Sequence, residues 1–143
     1  MIFCDTSFLF SLYGNDVNSA RAVAWVRRCT LPLHLNSLVH YEFGNALLFA
    51  ECRRILKPGE SAYYWALFEA ALAQGRLVQV TSNLADVVDE ARRMSAMRTL
   101  SCGYRAFDIL HVASARCAGA NEFLTFDANQ HKLAESEGLV VPL

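Results

Sequence analysis

Long hydrophobic runs, paired cysteine motifs, a strong charge bias and all but two lysines are missing from this sequence, and each absence narrows what the chain can be. Its longest apolar stretches, such as residues 46–50, fall far short of the roughly 20 residues a transmembrane helix needs. No basic segment precedes a hydrophobic one near Met1, so no signal peptide is expected and the cytoplasm is the default location. The five cysteines, Cys4, Cys29, Cys52, Cys102 and Cys117, are odd in number and contain no C-x-x-C pair. That argues against a disulfide framework and against a thiolate metal site, and they read as small apolar residues. Repeats, linkers and low-complexity segments are absent too. Charged residues are 19% of the chain, 13 basic against 14 acidic, for a net charge of −1. Such a balance excludes the sequence-wide basic footprint many nucleic-acid binders carry. What remains is 143 residues at 54% hydrophobic, a globular composition expected to fold as one domain over residues 1–143.

Short apolar runs alternate with helical periodicity. Residues 2–4, 33–36, 77–80, 122–126 and 139–141 read as strands bounded by turn residues. Between them the spacing predicts a short helix after Asp5, then helices over residues 19–29, 38–56 with Ser37 as cap, 60–74, 84–97, 106–118 and 128–137. Residues 98–105 read as a loop. The helix over 106–118 is apolar or small nearly all round, which predicts burial against a sheet. Strands alternating with helices predict an α/β chain, an α/β/α sandwich around a central parallel sheet of about five strands.

Four acidic residues stand at positions where such a fold does chemistry. Asp5 and Asp127 each follow an apolar strand run, the end at which parallel sheets bind ligands. Asp108 opens the buried helix, and Glu42 lies in the first turns of another. Each has a structural explanation: Asp5 as a cap, Asp108 and Glu42 as partners of a helix dipole, Asp127 with Gln130 as a variant capping box. Taken together, carboxylates converging on one pocket would repel unless cations held them. Oxygen ligands of this kind select Mg²⁺ or Mn²⁺ over zinc. With four carboxylates neutralised, ten acidic residues face thirteen basic ones, so nucleic acid stays open as a partner.

Four motifs carry a resemblance: C-D-T-S at 4–7, H-Y-E-F-G-N-A-L at 40–47, F-D-I-L-H-V-A-S-A at 107–115 and L-T-F-D-A-N-Q-H-K-L-A at 124–134. Their order and spacing resemble the PIN domain family, specifically the VapC-like toxin ribonucleases of prokaryotic toxin–antitoxin pairs. The resemblance implies a metal-dependent endoribonuclease whose acidic metal ligands, carried over by position, fall on Asp5, Glu42, Asp108 and Asp127. Glu42 would ligate directly or through water, and one or two Mg²⁺ or Mn²⁺ ions are both open. Thr6 matches the hydroxyl residue after the first Asp, and Thr125 the polar residue two before the last. The resemblance also implies a homodimer and a cognate antitoxin as partners and RNA as substrate; with no long apolar run, no membrane partner is expected.

Other residues have two readings each. Asn45, one turn after Glu42, either orients that carboxylate or is a polar surface residue. His111, one turn after Asp108, reads as a hydrogen-bonded core histidine before it reads as a base. Arg98 and Arg105, flanking the expected loop, are candidates to grip substrate, as are Arg21 and Lys132. Asn129 is a candidate contact. The aromatic cluster Tyr63, Tyr64, Trp65 and Phe68 reads as core or dimer contact before base stacking. Two rivals remain: a non-catalytic PIN-fold module that binds RNA or protein, and a phosphotransfer enzyme with Asp5 as nucleophile. Against the latter, Ser7 stands where a dehalogenase-type phosphatase has its second Asp, and neither Lys57 nor Lys132 ends a strand as a receiver domain requires.

Overall fold

The computed structural model describes residues 1–143. In chain order its elements are β1 (Ile2–Cys4), α1 (Thr6–Tyr13), α2 (Ser19–Arg28), β2 (Leu33–Leu35), α3 (Ser37–Cys52) and α4 (Glu60–Ala73). There follow β3 (Leu77–Gln79), α5 (Leu84–Cys102), α6 (Ala106–Cys117), β4 (Glu122–Leu124) and α7 (Ala128–Ser136). The strands form one sheet in the order β3-β2-β1-β4, and every pairing is parallel. All three residues of β1 are buried, which is why this central strand is an unbroken apolar run rather than an alternating one.

Strand order dictates the layers. The chain steps from β1 to β2 to β3 in one direction and then crosses back over the sheet to β4. Right-handed crossovers put the first four helices on one face and the later ones on the other. Packing agrees: α1 contacts α2, α3 and α4, whereas α6 contacts α5 and α7. The product is the expected α/β/α sandwich. Strand order reverses between β1 and β4, and at such a switch point a crevice opens beyond the C-terminal strand ends. Asp5 follows β1 at that place, and the turn to Asp127 follows β4.

One apolar cluster of 28 buried residues supports this arrangement. Phe3 stacks on Phe123 across the β1–β4 pair with ring centroids 6.3 Å apart, and Phe43 of α3 meets Phe68 of α4 at 4.9 Å. Each fully buried phenylalanine contributes about 1.5–3 kcal/mol of transfer free energy. Helix α6 buries Ile109, Val112, Ala113 and Ala115, and with them Asp108, His111 and Ser114. Polar groups thereby lie in the core beside the switch point. No helix is long and apolar enough to cross a membrane.

The structure departs from the sequence expectations in four places. The loop expected over 98–105 is helical as far as Cys102; Gly103 then ends α5 in the left-handed region at φ 69°, its N–H donating to the Thr99 carbonyl. The cap of α3 is Asn36, whose Oδ1 accepts from the Val39 N–H at 3.0 Å, and not Ser37. Helix α3 stops at Cys52 rather than near Leu56, because Arg54 turns to φ 60°. The expected fifth strand is a single parallel bridge, Glu122 to Val140, and the sheet has four strands. Pro142 has no N–H to extend that ladder.

Candidate functional site

Asp5 is fully buried at the end of β1. Its carboxylate caps α1, with Oδ1 accepting from the Phe8 N–H at 2.8 Å. The Ser7 hydroxyl donates toward both carboxylate oxygens at 2.9 Å, and the Thr125 hydroxyl donates to Oδ2 at 2.7 Å. These two hydroxyls also fasten the turn after β4: Ser7 accepts from the Phe126 N–H and Thr125 from the Asp127 N–H. Burial raises the Asp5 carboxyl to about 6, and the three kinds of hydrogen bond offset only part of that rise. Ser7 joins β1, α1 and β4, a role that a hydroxyl beside an expected helix start does not announce in the sequence.

Glu42 reaches this place from α3. Its Oε2 accepts from the Thr6 hydroxyl and lies 2.7 Å from Nε2 of His111. Burial pushes Glu42 up, but hydrogen bonds from His111 and Thr6 outweigh it and hold the carboxyl below its ordinary range. His111 is itself fully buried, with Nδ1 unpartnered, so its one polar contact is with Glu42. With a single nitrogen engaged and facing a carboxylate, Nε2 carries the proton.

Asp108 and Asp127 flank Arg105. The Arg105 Nε donates to Asp108 Oδ2 at 3.1 Å, and Nη2 stands 3.5 Å from Asp127 Oδ2. Asp127 also caps α7, its Oδ1 accepting from the Asn129 and Gln130 N–H groups. Thr6, Ser7, Glu42, Asn45, Phe49, Arg105, Asp108, Asp127 and Gln130 line one open cleft of about 360 Å³. Asp5 and Thr125 are buried and do not line it, but both are bonded to Ser7, which does.

The donors of this cleft are carboxylate, hydroxyl and amide oxygens, the set that suits Mg²⁺ or Mn²⁺. Three carboxylates face one guanidinium, an imbalance a divalent cation would offset. Gln130 lines the cleft, and its Oε1 is enclosed without a hydrogen-bond partner. In the conformation seen, no three His, Cys, Asp or Glu side chains stand in an arrangement able to hold a metal ion. Arg105 instead pairs with Asp108 and Asp127.

Of the residues singled out in the sequence, Arg98 is not at the cleft. Its Nε donates to Glu137 at 2.6 Å and its Nη2 to the Ser136 carbonyl, because α5 continues through it and faces α7. Arg21 lies over the Phe126 ring, and Asn129 and Lys132 are exposed on α7. Two of the aromatic cluster belong to the α3–α4 contact, Phe68 buried and Trp65 packed on His40, Phe43 and Phe68, while Tyr63 is exposed beside Tyr64. Phe49 and Gln130, by contrast, line the cleft although the sequence reading gave neither a role there; the 42, 45, 49 stripe on α3 was the available signal for the first.

Comparison with curated protein sequences finds no match. Among solved structures, VapC20 of Mycobacterium tuberculosis, described as a sarcin-ricin loop cleaving toxin, is similar with a TM-score of 0.67 and 21% identity, over 98% of this chain and 97% of that one. FitAcB from Neisseria gonorrhoeae is similar with a TM-score of 0.62 and 21% identity, over 99% and 96%. A toxin–antitoxin complex from Klebsiella pneumoniae is similar at 0.64 and 13%, over 100% and 98%. At these identities the likeness is one of fold. The family model for the PIN domain matches residues 2–136, nearly the whole chain, with the acidic cleft at the switch point of its sheet. This chain belongs to the PIN domain family.

Proposed function

We propose that this chain is a metal-dependent endoribonuclease, the toxin of a toxin–antitoxin pair, acting in the cytoplasm as one domain over residues 1–143. The observation that supports this most is the convergence of Glu42, Asp108 and Asp127 on one cleft joined to Asp5 through Ser7, in a chain of the PIN family. Asp5, Asp108 and Asp127 would hold Mg²⁺ or Mn²⁺, with Glu42 as a direct or water-mediated ligand. The chemistry such a cation supplies is activation of water and neutralisation of charge on a phosphodiester. Within the chain, Thr6 and His111 fix Glu42 through one oxygen and leave Oε1 for the cleft. Thr125 and Ser7 hold Asp5 in place. Arg105, with a side chain 71% exposed, is the group free to move from its carboxylates to a substrate phosphate. Asn45 faces the cleft one turn beyond Glu42. An antitoxin and a second copy of the chain are the proposed protein partners, and α3 and α4 expose Tyr41, Leu48, Tyr63 and Leu67 for apolar contacts.

The alternative is a PIN-fold module that binds RNA or protein without cutting, and one observation favours it: Arg105 pairs with the carboxylates a metal would need. Cleavage of a panel of structured RNAs distinguishes the two. Purified protein is incubated with Mg²⁺ or Mn²⁺, with EDTA, and as Asp108→Asn. Cleavage lost with chelator and with the variant supports the nuclease. Equal inertness of wild type and variant on every RNA, with no detectable metal binding, gives the binding module.

A further inference from the structure

The wall of the cleft beyond its carboxylates is built from groups that the hydrolytic reading leaves unused. On α3, Asn45 and Phe49 continue the stripe that starts at Glu42, and both line the cleft. Phe49 is 54% exposed, with the Arg53 guanidinium over its ring at 5.0 Å from the centroid. From α7, Gln130 lines the same cleft; it is 6% exposed, and its Oε1 has no hydrogen-bond partner. A buried amide oxygen without a donor marks a place where a ligand brings one. Arg105 is the only basic residue lining the cleft, so phosphate contacts alone give a poor grip on a polyanion. Recognition falls to bases and sugars.

We infer that Phe49, Asn45 and Gln130 form a nucleobase subsite beside the acidic cleft, taking an unstacked base of single-stranded RNA; that the ligand is RNA rests on the proposed function. The base plane stacks on Phe49, and Arg53 extends the platform, since guanidinium planes stack on bases as aromatic rings do. Gln130 Oε1, enclosed when the cleft is empty, accepts from an N–H on the base edge once its amide swings toward the base, and the exposed Asn45 amide offers both a donor and an acceptor. A base held in a duplex has neither its face nor its Watson–Crick edge free, so the substrate class is RNA unpaired next to the scissile bond.

The test measures binding separately from cleavage. Fluorescein-labelled RNA decamers of mixed sequence are titrated with the Asp108→Asn protein, which removes cutting, and anisotropy is recorded. The strands are the single-stranded decamer, the same decamer in a duplex, and a series with one abasic nucleotide moved along the strand. The single strand is expected to bind more tightly than the duplex. Adding Phe49→Ala weakens single-strand binding by about 5- to 100-fold, while Phe49→Tyr keeps it. Gln130→Met keeps the volume, removes the acceptor and weakens binding several-fold. One abasic position weakens binding to protein with Phe49 intact and has no further effect on the Phe49→Ala protein. Unchanged binding by Phe49→Ala, or an abasic series equally harmful to both proteins, overturns the subsite and leaves the ring to a protein partner. Cleavage by protein with Asp108 intact is scored separately: Phe49-dependent binding without cleavage of any RNA sinks the nuclease reading alone, and cleavage with Phe49-independent binding sinks the subsite alone.

Discussion

Replacing Asp5 by asparagine should make the protein more stable at neutral pH while removing the proposed activity. The Asp5 carboxyl is buried and rises from an ordinary 3.8 to about 6. Each tenfold change in proton affinity is worth about 1.4 kcal/mol. Above about pH 6 the folded state therefore carries roughly 3 kcal/mol of penalty for keeping this group ionised. The sign follows from proton binding: between about pH 4 and 6 the folded chain holds the proton more tightly than the unfolded one, so this group's contribution falls as pH rises. Below about pH 4 both states are protonated and the penalty vanishes. The side-chain amide that replaces the carboxyl carries no charge, and its oxygen can still accept from the Phe8 N–H. Thermal unfolding in EDTA should show Asp5→Asn ahead of wild type by about 3 kcal/mol at pH 8, roughly 10 °C in Tm for a chain of this size, with the gap closing toward pH 4. A variant that is less stable than wild type at pH 8, or a gap that does not change with pH, would refute the assignment of a strained, ionised carboxylate.

Further expectations rest on single contacts. Ser7→Ala leaves the Phe126 N–H and Asp5 each short of a partner and should cost about 1–3 kcal/mol by urea unfolding; an effect under about 0.5 kcal/mol would mean water replaces the hydroxyl. His111→Phe keeps an aromatic ring in the core but frees Glu42, so RNA cleavage should fall while the far-UV circular dichroism stays native; an unchanged rate would show that Thr6 alone holds the carboxylate. Glu137, buried between Arg93 and Arg98, ties α7 to α5, and Glu137→Gln should destabilise by about 1–3 kcal/mol, discounted because both arginines keep part of their hydration. Mg²⁺ or Mn²⁺ should raise the Tm of wild type in proportion to the logarithm of its concentration, about 2.7 kcal/mol at 100 times Kd, and should fail to do so for Asp127→Asn. An equal rise in the variant would place the ion elsewhere.

The central strand and the buried helix were legible because both carry one-sided physics: residues 2–4 are apolar without alternation, and α6 is apolar nearly all round. Asp5 stood out as the first polar group past such a run, and Asp127 as the first charged one after the run that became β4. What the sequence hid is set by contacts made across the fold. Residues 98–102 look like a loop, yet they stay helical because Arg98 is anchored on Glu137 and Gly103 supplies the left-handed cap. The same anchor removes Arg98 from the site that its nearness to Asp108 had pointed to. Asn36 outcompetes Ser37 as cap, a choice of one residue that composition does not decide. Ser7 and Gln130 are polar residues of ordinary kind, and their places at the site follow from the β4 and α7 positions alone. The metal arrangement, likewise, is not set by having four carboxylates in order, since Arg105 competes for two of them.

The hydrogen bond between Asp5 and Thr125 joins residues 120 apart in the chain, and β1 pairs with β4, the last strand of the sheet to be made. During synthesis β1 precedes β2 and β3, and one of its edges stays open until residues 122–127 have been made. Until then Asp5 lacks the hydroxyl of Thr125, Asp127 does not yet exist, and the crevice has one wall. The crevice therefore forms only when β4 closes on β1, and whatever the site does waits for that pairing.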